Sequence, residues 1–265
     1  MRALIALALA LTAAYAVRAT GHYGGERLDA FFVQWIYDGV AVIGMVLCIW
    51  RAVRIREGRA VWSLIALGFA FQVAGNEVYT ALYGYDVARF PSVADALWIA
   101  CYVPMIAALA LRIHAAGGAR GVVLLDILIA IAALSSISAA FLVDAILAGG
   151  SSSPLQLATS LAYPVFDLVL ATLVLQLAAA GGWRLGRATA LLAFCFICWA
   201  VTDSVYAYQT VQETYLGGGL LDLGWVVPFA LFGVAAWMPP TRPSPGRARD
   251  CARSSSLPAS PWSRS

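Results

Sequence analysis

Apolar runs of about 18 residues or more, the length a membrane helix needs, recur along almost the whole of this 265-residue chain. No other feature limits the fold so strongly. Where lipid is the solvent, no water satisfies backbone N–H and C=O groups, so spanning segments must be helices or a closed barrel. The runs are too long and too continuous for the roughly ten-residue alternating strands of a membrane barrel. Composition agrees: 62% of residues are hydrophobic and only 12% are charged, where a soluble domain carries about 25% charged residues. The expectation is an all-α polytopic membrane helix bundle. Eight spans are read at about 3–17, 31–50, 60–84, 95–112, 121–143, 156–180, 188–207 and 220–238.

Charge placement orients these spans. All 17 basic residues are arginine. Arg2, Arg51, Arg54, Arg56, Arg59, Arg112, Arg120, Arg184, Arg187 and the arginines after residue 239 fall on one side, whereas Arg18, Arg27 and Arg89 fall on the other, offset by Glu26, Asp29 and Asp86. The excess of arginine marks the cytoplasmic face, so both termini are expected there. The net charge of +3 then reflects orientation and not nucleic-acid binding. The first segment, MRALIALALALTAAYAV, also fits a cleavable signal peptide, with a basic start, an apolar core and an Ala14-Tyr15-Ala16 site. Cleavage would leave seven spans.

The five cysteines are Cys48, Cys101, Cys195, Cys198 and Cys251. Cys195 and Cys198 form a CxxC inside a span, where small apolar thiols on one helix face are the plain reading. The two histidines, His22 and His114, lie in loops on opposite sides, so no pair of histidines shares a span to hold a haem or a zinc ion. No metal, cofactor or catalytic residue is expected.

The chain echoes itself. A shift of 127 residues lays Asn76 on Asp203, Tyr79 on Tyr206, Asp95 on Asp222 and Trp98 on Trp225, and a shift of 129 lays IYDGV (36–40) on VFDLV (165–169). Four spans per unit give both copies the same orientation, hence a 4+4 parallel repeat. At PSVADALW (91–98), Pro91 cannot extend a preceding helix, and Ser92 with Asp95 makes a capping-box-like S-x-x-D. Its counterpart GLLDLGW (219–225) starts the last span. Trp98 and Trp225 suit an interfacial aromatic belt.

Asp38, Glu77, Asp126, Asp167 and Asp203 lie within the expected spans, and no arginine lies deep in one. A carboxylate at that depth is costly, so such groups face the bundle interior and are protonated, paired or hydrogen-bonded. Candidate partners are Asn76, Tyr79, Tyr163, Trp199, Thr202, Tyr206, Tyr208 and Trp225. Together the acids, their partners and the rim residues Asp95, Asp222 and Trp98 outline an outward-facing acidic and aromatic pocket for a cation, a protonated amine or a polar small molecule. Structural hydrogen bonds that fix helix packing are the plain alternative. Pro164, close to Asp167, interrupts the helical ladder and marks a hinge or a cavity.

The ordered series PSVADALWIACYVP (91–104), LLDIL (124–128), AYPVFDLVL (162–170), TDSVYA (202–207), YLGGGLLDLGW (215–225) and AAWMP (235–239) resembles the N-terminal multi-helix membrane region that precedes GGDEF and EAL domains, and in some cases histidine kinases, in bacterial signalling proteins. It covers about residues 30–239. The resemblance implies a sensory input domain in the bacterial inner membrane that passes its state through the last helix to a cytoplasmic enzyme making or degrading cyclic di-GMP. Here the segment after Pro240, TRPSPGRARDCARSSSLPASPWSRS, contains no GGDEF, EAL, kinase or PAS-like sequence. Residues 239–265 are expected to be a disordered Pro/Ser/Arg-rich cytoplasmic tail beyond a bundle of residues 1–238, its arginines suited to anionic lipid headgroups. The expectation is a truncated or frameshifted end where a signalling linker would begin.

The function expected is therefore a non-enzymatic membrane sensory module. Its partners would be membrane lipid, an unidentified small molecule or cation, a separate cytoplasmic signalling enzyme and a second copy of itself, without nucleic acid. The alternative is a small transporter with an intramembrane acidic site, a class in which parallel repeats and midspan acids also occur. An intramembrane enzyme ranks last, for want of a nucleophile constellation or metal-ligand spacing.

Overall fold

The computed structural model describes residues 1–21, 28, 31–84, 90–117, 125, 129, 154–181, 183, 185–211, 214–215 and 217–239. Among them the chain is all-helical. Helix α1 is Arg2–Gly21. A π-helical turn, Phe32–Ile36, leads directly into α2, Tyr37–Arg54. Then come α3, Arg59–Tyr83, α4, Val93–Ala100, and α5, Tyr102–Ala115. After the undescribed stretch follow α6, Pro154–Ala180, and α7, Arg187–Val211, and a 3-10 turn, Leu220–Asp222, opens α8, Leu223–Ala236. Six helical stretches are long and apolar enough to cross a membrane, and Leu220–Ala236 is a shorter apolar helix. The expected span 121–143, and with it Asp126, lies outside the described residues.

Several expectations meet the structure here. The first span is longer than its apolar core suggested, 20 residues from Arg2 to Gly21, and Tyr15 from it is buried against Phe32 and Tyr37. The span expected at 95–112 is divided at Cys101. Pro104 has no N–H to offer the carbonyl four residues back, so the ladder loosens there, and the N–H of Met105 reaches Cys101 O at a long 3.4 Å. Pro164, by contrast, does not divide α6, which runs unbroken through it. The capping box forms as read: the Ser92 N–H and Oγ donate to Asp95 Oδ2 at 2.6 and 2.8 Å. At its far end α3 is closed by Gly84 at φ +66°, whose N–H reaches Thr80 O at 3.0 Å, a positive φ that a glycine adopts without penalty.

The bundle is built from neighbours. Helix α2 packs on α1, α3 and α8, α3 packs on α4 and α5, α5 on α6, α6 on α7, and α7 on α8. Lipid gives no hydrophobic drive between helices, so close packing must hold them. Helices α2 and α8 approach through small residues: a Cβ on Gly44 would collide with the Phe229 carbonyl oxygen, and one on Gly233 would lie 3.6 Å from Gly44 Cα. An aromatic knot fills the centre. Phe69 of α3 meets Trp199 of α7 at 6.0 Å and Phe229 and Phe232 of α8 at 5.3 and 5.2 Å between ring centroids, and Phe196 joins them. Cys195 and Cys198 lie on the α8-facing side of α7, their thiols directed at the carbonyls of Pro228 and Gly224 at 3.9 and 3.5 Å.

Candidate functional site

The polar residues of the bundle collect toward the end opposite Arg51, Arg54, Arg59 and Arg112, in chains that cross between helices. In the first chain, Asp38 in the opening turn of α2 accepts from Asn76 Nδ2 of α3 at 2.7 Å, and Asn76 Oδ1 accepts from Trp98 Nε1 of α4 at 2.9 Å. The amide thus uses both of its faces, one as donor and one as acceptor. Tyr79, one turn after Asn76, lies against Trp98 with centroids 5.6 Å apart. The contact is close because Gly75 leaves room: a Cβ there would run into the Trp98 indole nitrogen.

The second chain has the same plan with an acid in the place of the amide. Asp203 Oδ1 of α7 accepts from Trp225 Nε1 of α8 at 2.6 Å. Its Oδ2 lies 2.9 Å from the Tyr102 hydroxyl of α5, which also lies 2.8 Å from Asp167 Oδ1 of α6. Asp167 is 3% exposed, and its Oδ2 is buried with no hydrogen-bond partner. Tyr206 flanks Trp225 at 5.5 Å, as Tyr79 flanks Trp98. Behind this chain Gly224 lies directly against Thr202 Oγ1, which donates to Cys198 O at 2.7 Å.

The two helix-start acids are held separately. Asp95 takes Ser92 on Oδ2 and the Tyr163 hydroxyl of α6 on Oδ1 at 2.7 Å. Asp222 takes the Gly218 N–H at 2.7 Å and the Tyr15 hydroxyl at 3.1 Å on Oδ2, and the Tyr215 hydroxyl at 3.0 Å on Oδ1. Each acid therefore joins an upstream backbone N–H to a tyrosine from a distant helix, and each is buried. Burial first, and then the charge of Asp222, push the Tyr215 hydroxyl up from its ordinary value, which keeps it a donor.

Most of the residues anticipated from sequence are thus brought together, in a different manner. Asp38, Asn76, Asp95, Trp98, Tyr163, Asp167, Asp203, Asp222 and Trp225 join these chains, and Tyr206 packs beside them. Glu77 stands apart on the exposed side of α3. Tyr208 is 66% exposed, and Trp199 belongs to the aromatic knot. Trp98 and Trp225 direct their indole N–H groups into the bundle instead of serving only as a belt. Sequence reading missed Tyr102, Tyr15 and Tyr215 as donors. Tyr102 had a legible signal, since it follows the capped helix start by two turns and faces α6 across the Pro104 break. Tyr15 had none, because its partner is distant in the chain.

Among the described residues, open grooves lie elsewhere. One of about 350 Å³ lies between α3 and α4–α5, with Leu64, Phe71, Val103 and Pro104 among its walls. Another of about 460 Å³ is walled by Ala13, Val17, Arg18, Leu28 and Phe32. Neither contains a residue of the acid chains. Among the described residues no group of three or more His, Cys, Asp or Glu side chains could hold a metal ion.

Fold and site together define an all-helical bundle with membrane-length apolar helices, cross-linked at one end by buried carboxyl groups and aromatic donors. No family model matches the chain, and comparison with curated proteins and with solved structures gives no match.

Proposed function

We propose that this chain is the membrane-embedded sensory module of a bacterial signal-transduction protein of the cyclic di-GMP type, acting without turnover of its own. The observation that carries the reading is the way α8 is held. Its opening acid, Asp222, is tied to α1 through Tyr15, its Trp225 is tied to α7 through Asp203, and beyond its other end Trp237 Nε1 donates to Leu47 O of α2 at 3.2 Å. A change in the polar chains acts directly on the helix that leads to residue 239. That is the mechanical requirement of an input domain whose output follows its last helix. The ordered motif series from residue 91 to residue 239 gives the same reading from sequence.

The module lies in the inner membrane with both termini cytoplasmic, as the arginine distribution favours, and comprises eight spans in a 4+4 parallel repeat. Packing supports the repeat. Tyr102 stacks on Phe166 at 5.2 Å, linking the fourth span to the sixth, and Phe229 meets Tyr37 at 5.9 Å, linking the eighth to the second. Phe229 is the 127-residue counterpart of Tyr102, and Phe166 the 129-residue counterpart of Tyr37. The stimulus is a small molecule or cation, and the output is a cytoplasmic cyclase, phosphodiesterase or kinase.

A transporter is the second reading, favoured by one observation: a carboxyl oxygen of Asp167 is buried without a partner. Purified protein in proteoliposomes separates the two. The sensory reading expects no solute accumulation under an imposed ion or proton gradient, together with a stimulus-dependent change in spin-label distance between position 238 and position 59. Uptake that is abolished in both Asp167→Asn and Asp203→Asn would overturn it. Reading the DNA downstream of the gene in three frames for an output domain tests the signalling class independently.

A further inference from the structure

The second chain is one hydrogen short for two ionised acids, whatever the output of the bundle. The Tyr102 hydroxyl lies within hydrogen-bond distance of Asp167 Oδ1 and of Asp203 Oδ2, at 2.8 and 2.9 Å, yet a phenol has one proton to donate. If both acids are ionised, one carboxylate oxygen faces a hydroxyl lone pair with nothing between them. Among the described residues, the helices that carry this chain and their neighbour offer no basic compensation: segments 60–84, 95–111, 156–180, 188–207 and 220–236 contain no Arg, Lys or His. We propose that Asp167, Tyr102 and Asp203 form an intramembrane proton-binding site that takes one proton from bulk water and leaves the acid pair with a single negative charge.

The unpartnered oxygen decides where that proton resides. Asp203 is already served by Trp225 Nε1 at 2.6 Å, and with the Tyr102 O–H it has a donor for each oxygen, as a buried carboxylate requires. Asp167 Oδ2 has none. A bare oxygen is far less costly on a neutral acid than on a charged one. The proton therefore sits on Asp167, whose Oδ1 donates to Tyr102, itself a donor to Asp203, and whose carboxyl group also meets that of Asp203 directly. Reversing both O–H groups moves the proton to Asp203, so the hydroxyl is a relay as well as a bridge. The other titratable groups that face this chain are Cys101, Tyr163, Tyr206 and Asp222. Cys101 adjoins Tyr102 and lies within reach of both acids' charge. Tyr163 of α6 donates to Asp95, Tyr206 of α7 packs on Trp225, and Asp222 of α8 is occupied by Tyr15, Tyr215 and Gly218.

The test is infrared spectroscopy of the full chain in lipid nanodiscs, titrated with protons alone. The wild type is expected to show a protonated-carboxyl C=O band at neutral pH that shifts on exchange into heavy water. Asp38→Asn is expected to retain it and Asp167→Asn to lose it. Asp203→Asn is also expected to lose it, because the new amide, its oxygen held by Trp225, donates to the Tyr102 hydroxyl, which then donates to an ionised Asp167. Absence of the band from the folded wild type at neutral pH overturns the assignment, even if a variant fails to fold. Retention of the band at wild-type intensity in either Asp167→Asn or Asp203→Asn overturns it equally, since the proton would then belong to another acid or to Asp167 alone.

Discussion

The two polar chains solve one problem with different chemistry. Asp38, Asn76 and Trp98 form a line of acid, amide and indole. Asp167, Asp203 and Trp225 occupy the corresponding places in the sequence shift, with an acid where the first has an amide. The amide carries its own donor, so Asp38 is satisfied as a carboxylate. The acid does not, and a tyrosine from a further helix stands between the two carboxyl groups. One side chain atom, nitrogen or oxygen, therefore separates a static joint between α2, α3 and α4 from a protonatable joint between α5, α6, α7 and α8. A bundle that keeps both has one half fixed and one half able to respond.

The largest expected effect falls on the responsive half. Tyr102→Phe deletes the bridge while preserving the ring against Phe166, and leaves two buried carboxyl groups facing each other. A loss of about 3 kcal/mol is expected, as for removal of one partner from a buried charged network, measured by unfolding in mixed micelles. Exchanging the chemistry of the two halves comes next. Asn76→Asp gives the first chain two acids and no bridge, with an expected cost of about 2–3 kcal/mol at neutral pH. That cost shrinks as pH falls, because the folded variant then holds more protons than its unfolded form. Asp203→Asn is the reciprocal change. It is expected to leave stability at or above the wild type and to flatten its pH dependence. If Asn76→Asp proves neutral and Asp203→Asn costly, the two chains do not share a logic.

How much of this could be read in advance depends on what the chain records locally. Apolar length is a property of single segments, so the described helices were legible to within a few residues, and so was the Ser92–Asp95 cap, which joins neighbours in sequence. The acids were legible because a carboxyl group inside an apolar run demands an explanation. Their donors were not, with the exceptions of Asn76, Tyr163 and Trp225. A tyrosine is unremarkable in an apolar helix, and whether Tyr15 meets Asp222 depends on how α1 and α8 dock. The internal hydrogen bond of Trp98 was missed for a related reason. A tryptophan near a helix end satisfies an interfacial belt and an internal hydrogen bond equally well, and only the small residue opposite, Gly75 for Trp98, distinguishes them.

The two indoles also differ in what they serve, which gives a smaller test of the same comparison. Trp225 donates to a carboxylate and Trp98 to a neutral amide. Replacing each with Phe is expected to cost about 2 kcal/mol at Trp225 and about 1 kcal/mol at Trp98, the spread between charged and neutral hydrogen bonds. Equal losses would mean that packing, not hydrogen bonding, sets both.

The smallest effect is expected one residue from the first chain. Glu77 follows Asn76, yet successive side chains on a helix point about 100° apart, so the neighbour of an inward amide faces away, and Glu77 is exposed. Glu77→Gln keeps the size and removes the charge, so it isolates that charge from the joint between α2, α3 and α4. Stability within about 0.5 kcal/mol of the wild type is expected, with the infrared carboxyl band unaltered. A larger loss, or a band that moves, would mean that the first chain includes a second acid after all, and the contrast between a fixed and a responsive half would fail at its static end.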